Sequence, residues 1–178
     1  FVLGRANSAQ FKYLMGKQAG LKPGLAQRMT LKPLPSTSLI EARLITGDEA
    51  LFKRFEKTLV GKCVTGHEQE YIAMRLADQS ARRAKFGNSA CMQEPNLKSG
   101  CGGLRDFQNL LWMAFFKHRT RTLKELQAHE LIGEVERKHL EAAYGFLLRA
   151  RTEMHYHVNR AMEVLGKNLQ PAVALNLG

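Results

Sequence analysis

No stretch of this 178-residue chain approaches the roughly 18 consecutive apolar residues that a membrane-spanning helix needs, so no membrane protein is expected. Cysteine is scarce: Cys63, Cys91 and Cys101 are odd in number and lack C-x-x-C spacing, which argues against a disulfide framework and against a zinc site. Free thiols fit a reducing cytoplasm. Aspartate is also scarce, with only Asp48, Asp78 and Asp106, far apart in sequence. No D-x-D or S-D-x-D brings two carboxylates together for metal-assisted phosphoryl transfer. The opening FVLGRANSAQ has neither the longer apolar stretch nor the cleavage pattern of a signal peptide, and no initiator methionine. Both ends, FVLG and VALNLG, read as secondary structure cut in mid-course, so the chain is expected to be a fragment.

What the chain has in excess is positive charge. Lysine and arginine number 27 against 16 acidic residues, a formal charge of +11. Such a field favours phosphates, nucleic acid or an acidic protein, or it is a solvated basic surface. The cations are spread over helix-like segments, with small clusters at Arg82, Arg83 and Lys85 and at Lys117, Arg119, Arg121 and Lys124. No block is long enough for a nucleic-acid arm, and no recognisable binding motif accompanies the charge. With 44% hydrophobic and 24% charged residues the composition is that of a soluble globular protein able to bury one sizeable core.

Residues 1–36 are rich in glycine and proline without a sustained period, and read as short strands or loops. Ser38 with Glu41 matches a capping box, predicting a helix from Ser38 to about Ile45. Gly47 stops it, and Asp48 caps a second helix whose Leu51, Phe52, Phe55 and Leu59 share a face. Gly61 to Gly66 breaks the pattern. A helix through HEQEYIAMRLADQSARRAKFG follows, with Tyr71, Ile72, Arg75, Leu76 and Gln79 near one stripe and its charges mostly facing water. The clearest amphipathic stripe is Leu104, Phe107, Leu110, Leu111, Ala114 and Phe115. Thr122 with Glu125 caps a short helix ending near His129. A long helix from about Gly133 to Val164 is predicted to turn Val135, Leu140, Ala143, Tyr144, Leu147, Leu148, Met154 and Val158 mainly inward. Helical runs with short breaks describe a mainly α helical bundle.

The segment KSGCGGLRD, residues 98–106, stands directly ahead of the clearest helix. Gly100, Gly102 and Gly103 can expose backbone N–H groups at a helix N-terminus, and Lys98 and Arg105 add full charges, which suits an anion such as a nucleotide phosphate. The pattern G-x-G-G-x-x-D is neither a Rossmann fingerprint nor a P-loop. The other reading is a loop that needs positive φ angles, with Asp106 interacting with the helix dipole. Cys101 beside that N-terminus would favour its thiolate, but no histidine partner is identifiable. His155 and His157 lie two positions apart, about 200° around a helix, so they cannot easily share a metal. One partly buried and one exposed histidine is expected there.

The longer string EPNLKSGCGGLRDFQNLLW resembles the bacterial PII uridylyltransferase/uridylyl-removing enzyme family, whose helical region carries E-P-N-x-K-x-G-x-G-G-L-R-D ahead of an apolar helix with a tryptophan. The matching positions are Glu94, Pro95, Asn96, Lys98, Gly100, Gly102, Gly103, Leu104, Arg105, Asp106 and Trp112. TSLIEARLITGDEALF (residues 37–52) resembles the segment that closes the family's nucleotidyltransferase domain, FLLRARTEMH (residues 146–155) a later helix, and LQPAVALNLG the approach to its phosphohydrolase domain. A related segment in the glutamine synthetase adenylyltransferase family is a neighbouring alternative. The resemblance implies that residues 1–60 are the C-terminal part or remnant of an α/β nucleotidyltransferase domain of the DNA polymerase β-like kind, and residues 61–178 a helical domain.

It further implies a cytoplasmic enzyme that moves uridylyl groups from UTP onto the PII signalling protein with magnesium, and removes them in a metal-dependent HD-type domain when glutamine is plentiful. Lys98, Gly100, Gly102, Gly103, Arg105 and Asp106 become the candidate phosphate-proximal residues. The family's glycine-rich turn and paired aspartates should lie near the N-terminus, yet FVLGRANSAQFKYLMGKQAG contains neither, and an HD motif would lie beyond Gly178. No catalytic or metal-binding residue is therefore assigned to this chain. Either the first 20 or so residues are a compressed remnant, or the protein is a degenerate homologue that binds without catalysing. A non-catalytic helical module docking an acidic protein is the alternative function.

Overall fold

Pro33 and Pro35 lie in the first turn of the first helix among the described residues, where backbone N–H groups have no intrahelical acceptor and proline therefore gives up nothing. The computed structural model of the chain describes residues 33–178, with side chains from residue 37. Its elements are α1 (Pro33–Ile40), α2 (Glu49–Leu59), a π-helical turn (Val60–Val64), α3 (Glu68–Phe86), α4 (Leu104–His118), α5 (Leu123–Ala128), α6 (Glu134–Val158) and α7 (Gln170–Leu177). The mainly α expectation holds. Among the described residues the strand-like pairing is an isolated antiparallel bridge between Asn96 and Val164. The expected strands within residues 1–32 lie outside the described residues.

The described residues fall into two compact units, one ending at Met74 and the other running from Arg75 to Gly178. In the first, α1 begins five residues before the expected start and ends at Ile40, so Ser38 is inside the helix and is not its cap. The glycine- and proline-rich composition of residues 1–36 predicts loops or short strands, whereas prolines in a first turn are compatible with a helix start. Asp48 does cap α2, its Oδ1 accepting from the N–H groups of Ala50 at 2.7 Å and Leu51 at 3.1 Å. Phe55 and Leu59 are fully buried with Leu39, Ala42 and Cys63, and Phe52 packs against them. Fully burying Leu39, Phe55 and Leu59 stabilises the unit by about 1.5–3 kcal/mol each.

Gly61 does not break the helix as expected. The chain runs on into the π-turn, where Thr65 N–H donates to Val60 O at 2.9 Å, and the wider turn buries Cys63 and Val64. Gly66, at φ +84°, ends it in a conformation that favours glycine. Tyr71 of α3 is buried and its hydroxyl meets Thr37 Oγ1 at 2.8 Å.

The second unit contains two apolar clusters. Ala114, Leu123 and Leu126 join Phe107, Leu110, Leu111, Ile132 and Leu140, with Phe107 stacked on Tyr144 at 4.0 Å. This is the stripe expected of α4, although Trp112, Phe116 and Asn109 are buried on that helix as well. Leu97, Ala150, Met154, Leu169 and Val173 form the other cluster. Thr122 caps α5, accepting from Glu125 N–H at 3.2 Å, while the Glu125 carboxylate accepts from Arg121 N–H at 2.7 Å. The Thr122 half of the expected capping box is present, whereas Glu125 reaches the N–H of the residue before the cap and not that of Thr122.

Three expectations for this unit are corrected. The long helix α6 ends at Val158 rather than Val164, because Asn159 takes a left-handed φ of 51°. The next residues then pair with the glycine turn: Leu97 N–H donates to Glu163 O at 2.8 Å, and Leu165 N–H to Pro95 O at 2.9 Å. Second, Val135 is 63% exposed, and Ala143 and Leu148 also face outward, because the buried surface of α6 lies at Ala150 and Met154. Third, the charges of α3 do not mostly face water: besides Arg75, which was expected on the apolar stripe and is buried, Glu68, Asp78, Arg82 and Arg83 are half-buried, and only Glu70 and Lys85 are exposed.

Candidate functional site

Asn96 starts the glycine turn by bending the chain onto its own side chain. Its Oδ1 accepts from the N–H groups of Lys98 at 3.2 Å and Ser99 at 2.8 Å, and its carbonyl accepts from Gly100 N–H at 3.0 Å. Gly103 N–H donates to Gly100 O, Leu104 N–H to Leu97 O and Arg105 N–H to Lys98 O, at 3.0, 2.9 and 2.8 Å. Gly102 adopts φ +73°, and its N–H donates to Asp106 Oδ2 at 3.0 Å. The backbone donors of Gly100, Gly102 and Gly103 are therefore engaged by acceptors from the chain itself.

Asp106, in the first turn of α4, gathers charge and hydrogen bonds. Its Oδ1 accepts from Arg82 Nη2 at 3.0 Å and Gln79 Nε2 at 3.3 Å, and Arg83 lies 3.9 Å from Oδ2. Burial pushes this carboxyl up, but hydrogen bonds from Gly102, Arg82 and Gln79 and the charge of Arg82 outweigh it and hold Asp106 below the usual carboxylate range. Arg82 also donates to Asp78 Oδ2 at 3.2 Å and to Ser99 O at 3.4 Å, so one guanidinium ties α3 to both ends of the turn. The Arg105 guanidinium sits 5.1 Å from the centroid of the Trp112 ring.

A second carboxylate holds the other side. Glu163 accepts from Arg151 through both oxygens at 2.7 Å, and Lys98 Nζ donates to Glu163 Oε1 at 3.3 Å. The Arg151 hydrogen bonds keep the Glu163 carboxyl below its ordinary value, against the effect of burial and with help from the Arg151 and Lys98 charges. Nearby, His155 Nε2 donates to Met162 O at 2.7 Å. His155 is half-buried and His157 exposed, as expected.

All six sequence candidates, Lys98, Gly100, Gly102, Gly103, Arg105 and Asp106, thus fall on one short turn with α4. Sequence reasoning missed Glu163, Arg151, Gln79 and the bridging role of Arg82. Only Arg82 left a signal, at four residues from Asp78 on a helix. Glu163 is 65 residues from Lys98, with nothing local to announce it.

The family model described as GlnD PII-uridylyltransferase matches residues 70–178, more than half of the chain. The chain belongs to this family. The match includes the whole glycine turn and both carboxylates that hold it. Among similar proteins, a bifunctional uridylyltransferase/uridylyl-removing enzyme of Erythrobacter litoralis is 36% identical over 138 residues, 78% of this chain and 15% of the relative. Enzymes of the same name from Nitrobacter winogradskyi and Phenylobacterium zucineum are 34% and 35% identical over 142 residues, 80% of this chain and 15% of each relative. The chain spans about 15% of the length of the curated relatives it matches. No solved structure matches it.

The magnesium that the family resemblance implies does not fit the described residues. No group of three His, Cys, Asp or Glu side chains among them could hold a metal ion. Both oxygens of Asp106 face hydrogen-bond donors that a cation would have to displace. No helix among the described residues is long and apolar enough to cross a membrane.

Proposed function

We propose that the chain is the helical part of a nucleotidyltransferase that transfers uridylyl groups from UTP to the PII signalling protein, within a longer protein that also removes them. The observation that carries this reading is the continuous family match over residues 70–178, which contains the complete EPNLKSGCGGLRD segment. In this reading the enzyme is cytoplasmic. Magnesium and its carboxylate ligands belong to parts of the enzyme outside the described residues, and the chain by itself does not catalyse.

The helical unit braces one wall of the nucleotide cleft. Support for bracing comes from two residues: Asp106 joins α3, the turn and α4, while Glu163 is tied to the start of the turn by Leu97 N–H on its carbonyl and to α6 by Arg151 on its carboxylate. A wall held at both ends keeps its residues in place for transfer, which depends on positioning more than on groups that react. A second reading, a non-catalytic module that docks an acidic protein, draws on the exposed Phe146, Tyr156 and Leu175 and the net positive charge.

The test is labelling of PII by the full-length protein with UTP and magnesium. Transfer of the uridylyl label supports the enzyme reading. PII binding without label, and without heat on UTP titration, supports the module instead.

A further inference from the structure

The six turn residues differ in what they can offer a ligand. The three glycine N–H groups already donate to Asn96 O, Asp106 Oδ2 and Gly100 O. Asp106 is an anion, and an anionic ligand would be repelled by it. Arg105 is committed to the face of Trp112. Lys98 is different. Its side chain is 32% exposed, and it meets Glu163 through a single contact at 3.3 Å. The same Glu163 is held through both oxygens by Arg151 at 2.7 Å.

We infer that Lys98 is the releasable cation of the turn, and that it leaves Glu163 to contact the triphosphate of the incoming nucleotide. This rests on the uridylyltransferase reading above and names the residue through which this unit would touch UTP. The exchange is cheap because a partly exposed lysine–carboxylate pair contributes little, and because Glu163 keeps its bidentate arginine when Lys98 departs. An ammonium on a flexible four-carbon stem suits such a swap, as a point charge without a fixed hydrogen-bonding plane. Arg151 is a positioning residue in this scheme: it keeps Glu163 compensated and never meets the ligand.

Calorimetric titration of the full-length protein with UTP and magnesium tests the assignment, using Lys98→Met, Lys98→Arg and Glu163→Gln. Lys98→Met should weaken UTP binding by roughly ten- to a hundred-fold, the range for losing one hydrogen bond to a charged group, with Lys98→Arg recovering much of it. Glu163→Gln removes the competing charge and should tighten binding by about two- to five-fold. A purely structural lysine predicts the opposite sign, since loosening the turn would weaken binding. Circular dichroism at the titration temperature shows whether each variant is folded, and the sign of the Glu163→Gln change carries the test if Lys98→Met is not. UTP binding that is normal in the unaltered protein and within two-fold in Lys98→Met overturns the assignment alone. Absence of binding in the unaltered protein sinks the uridylyltransferase reading, and this assignment with it.

Discussion

Alanine at each of the three turn glycines should cost different amounts for different reasons. At Gly103 an added Cβ would lie 2.9 Å from Leu97 O, 3.0 Å from Gly100 O and 3.1 Å from Lys98 C, and at Gly100 it would lie 2.7 Å from Asn96 O. These atoms are backbone and cannot rotate aside. Each carbonyl also accepts a turn hydrogen bond, from Leu104, Gly103 or Gly100. Overpacking of about 1–3 kcal/mol, together with a weakened hydrogen bond of about 1 kcal/mol, gives roughly 2–4 kcal/mol for either substitution. Gly102 has open space around it, so its penalty is the positive φ alone. That penalty is about 1–2 kcal/mol, offset by about 0.4–1 kcal/mol because alanine restricts the unfolded chain. Urea unfolding followed by the fluorescence of Trp112 suits the comparison, because this single tryptophan is buried in the unit that carries the turn. The expected order of destabilisation places Gly100→Ala and Gly103→Ala well above Gly102→Ala. If Gly102→Ala costs as much as the other two, the close packing of the turn is refuted.

Asp106 and Glu163 are both held below the ordinary carboxylate range when folded, so they bind protons more readily unfolded. Their contribution is present above about pH 4 and is lost as pH falls through the lowered folded values, so stability should decline on the acid side. The double variant Asp106→Asn, Glu163→Gln should flatten that decline in urea midpoints taken between pH 6 and pH 3; an unchanged slope would show that neither group carries it. Asn109 is 1% exposed, and among the described residues both of its amide atoms lack a hydrogen-bond partner. Asn109→Leu should therefore be neutral or stabilising by about 1 kcal/mol in the same assay, whereas a loss of that size would mean that the amide is satisfied. Burial pushes the Cys63 thiol up, while Cys91 is exposed. A thiol reagent at neutral pH should modify Cys91 first and reach Cys63 only on unfolding, as peptide mapping by mass spectrometry would show.

Local signals carried much of the fold. Asp48 before an apolar face, Thr122 three residues before Glu125, and the Leu104 to Phe115 stripe each became the expected helix, because cap and periodicity act within a few residues. Errors arose where one residue type serves two geometries. Pro33 and Pro35 open α1, and Gly61 sits in a π-turn that continues α2. At Asn159 a single left-handed residue ended α6 early, and the segment that followed was claimed by pairing with residues 95–97. For the glycine turn, the sequence supplied the motif and the family, while its supports were long-range. Arg82 reaches Asp106 across 24 positions and Glu163 reaches Lys98 across 65, distances at which no periodicity speaks.

Amide hydrogen exchange in the turn, with and without UTP, tests most directly whether its backbone donors are filled from within. The amides of Gly102, Leu104 and Arg105 should be protected before any ligand is added, and Asp106→Ala should release Gly102 while leaving Leu104 and Arg105 slow. Fast exchange of all three in the free protein, with protection only on addition of UTP or phosphate, would contradict the brace and make the turn a phosphate-binding loop.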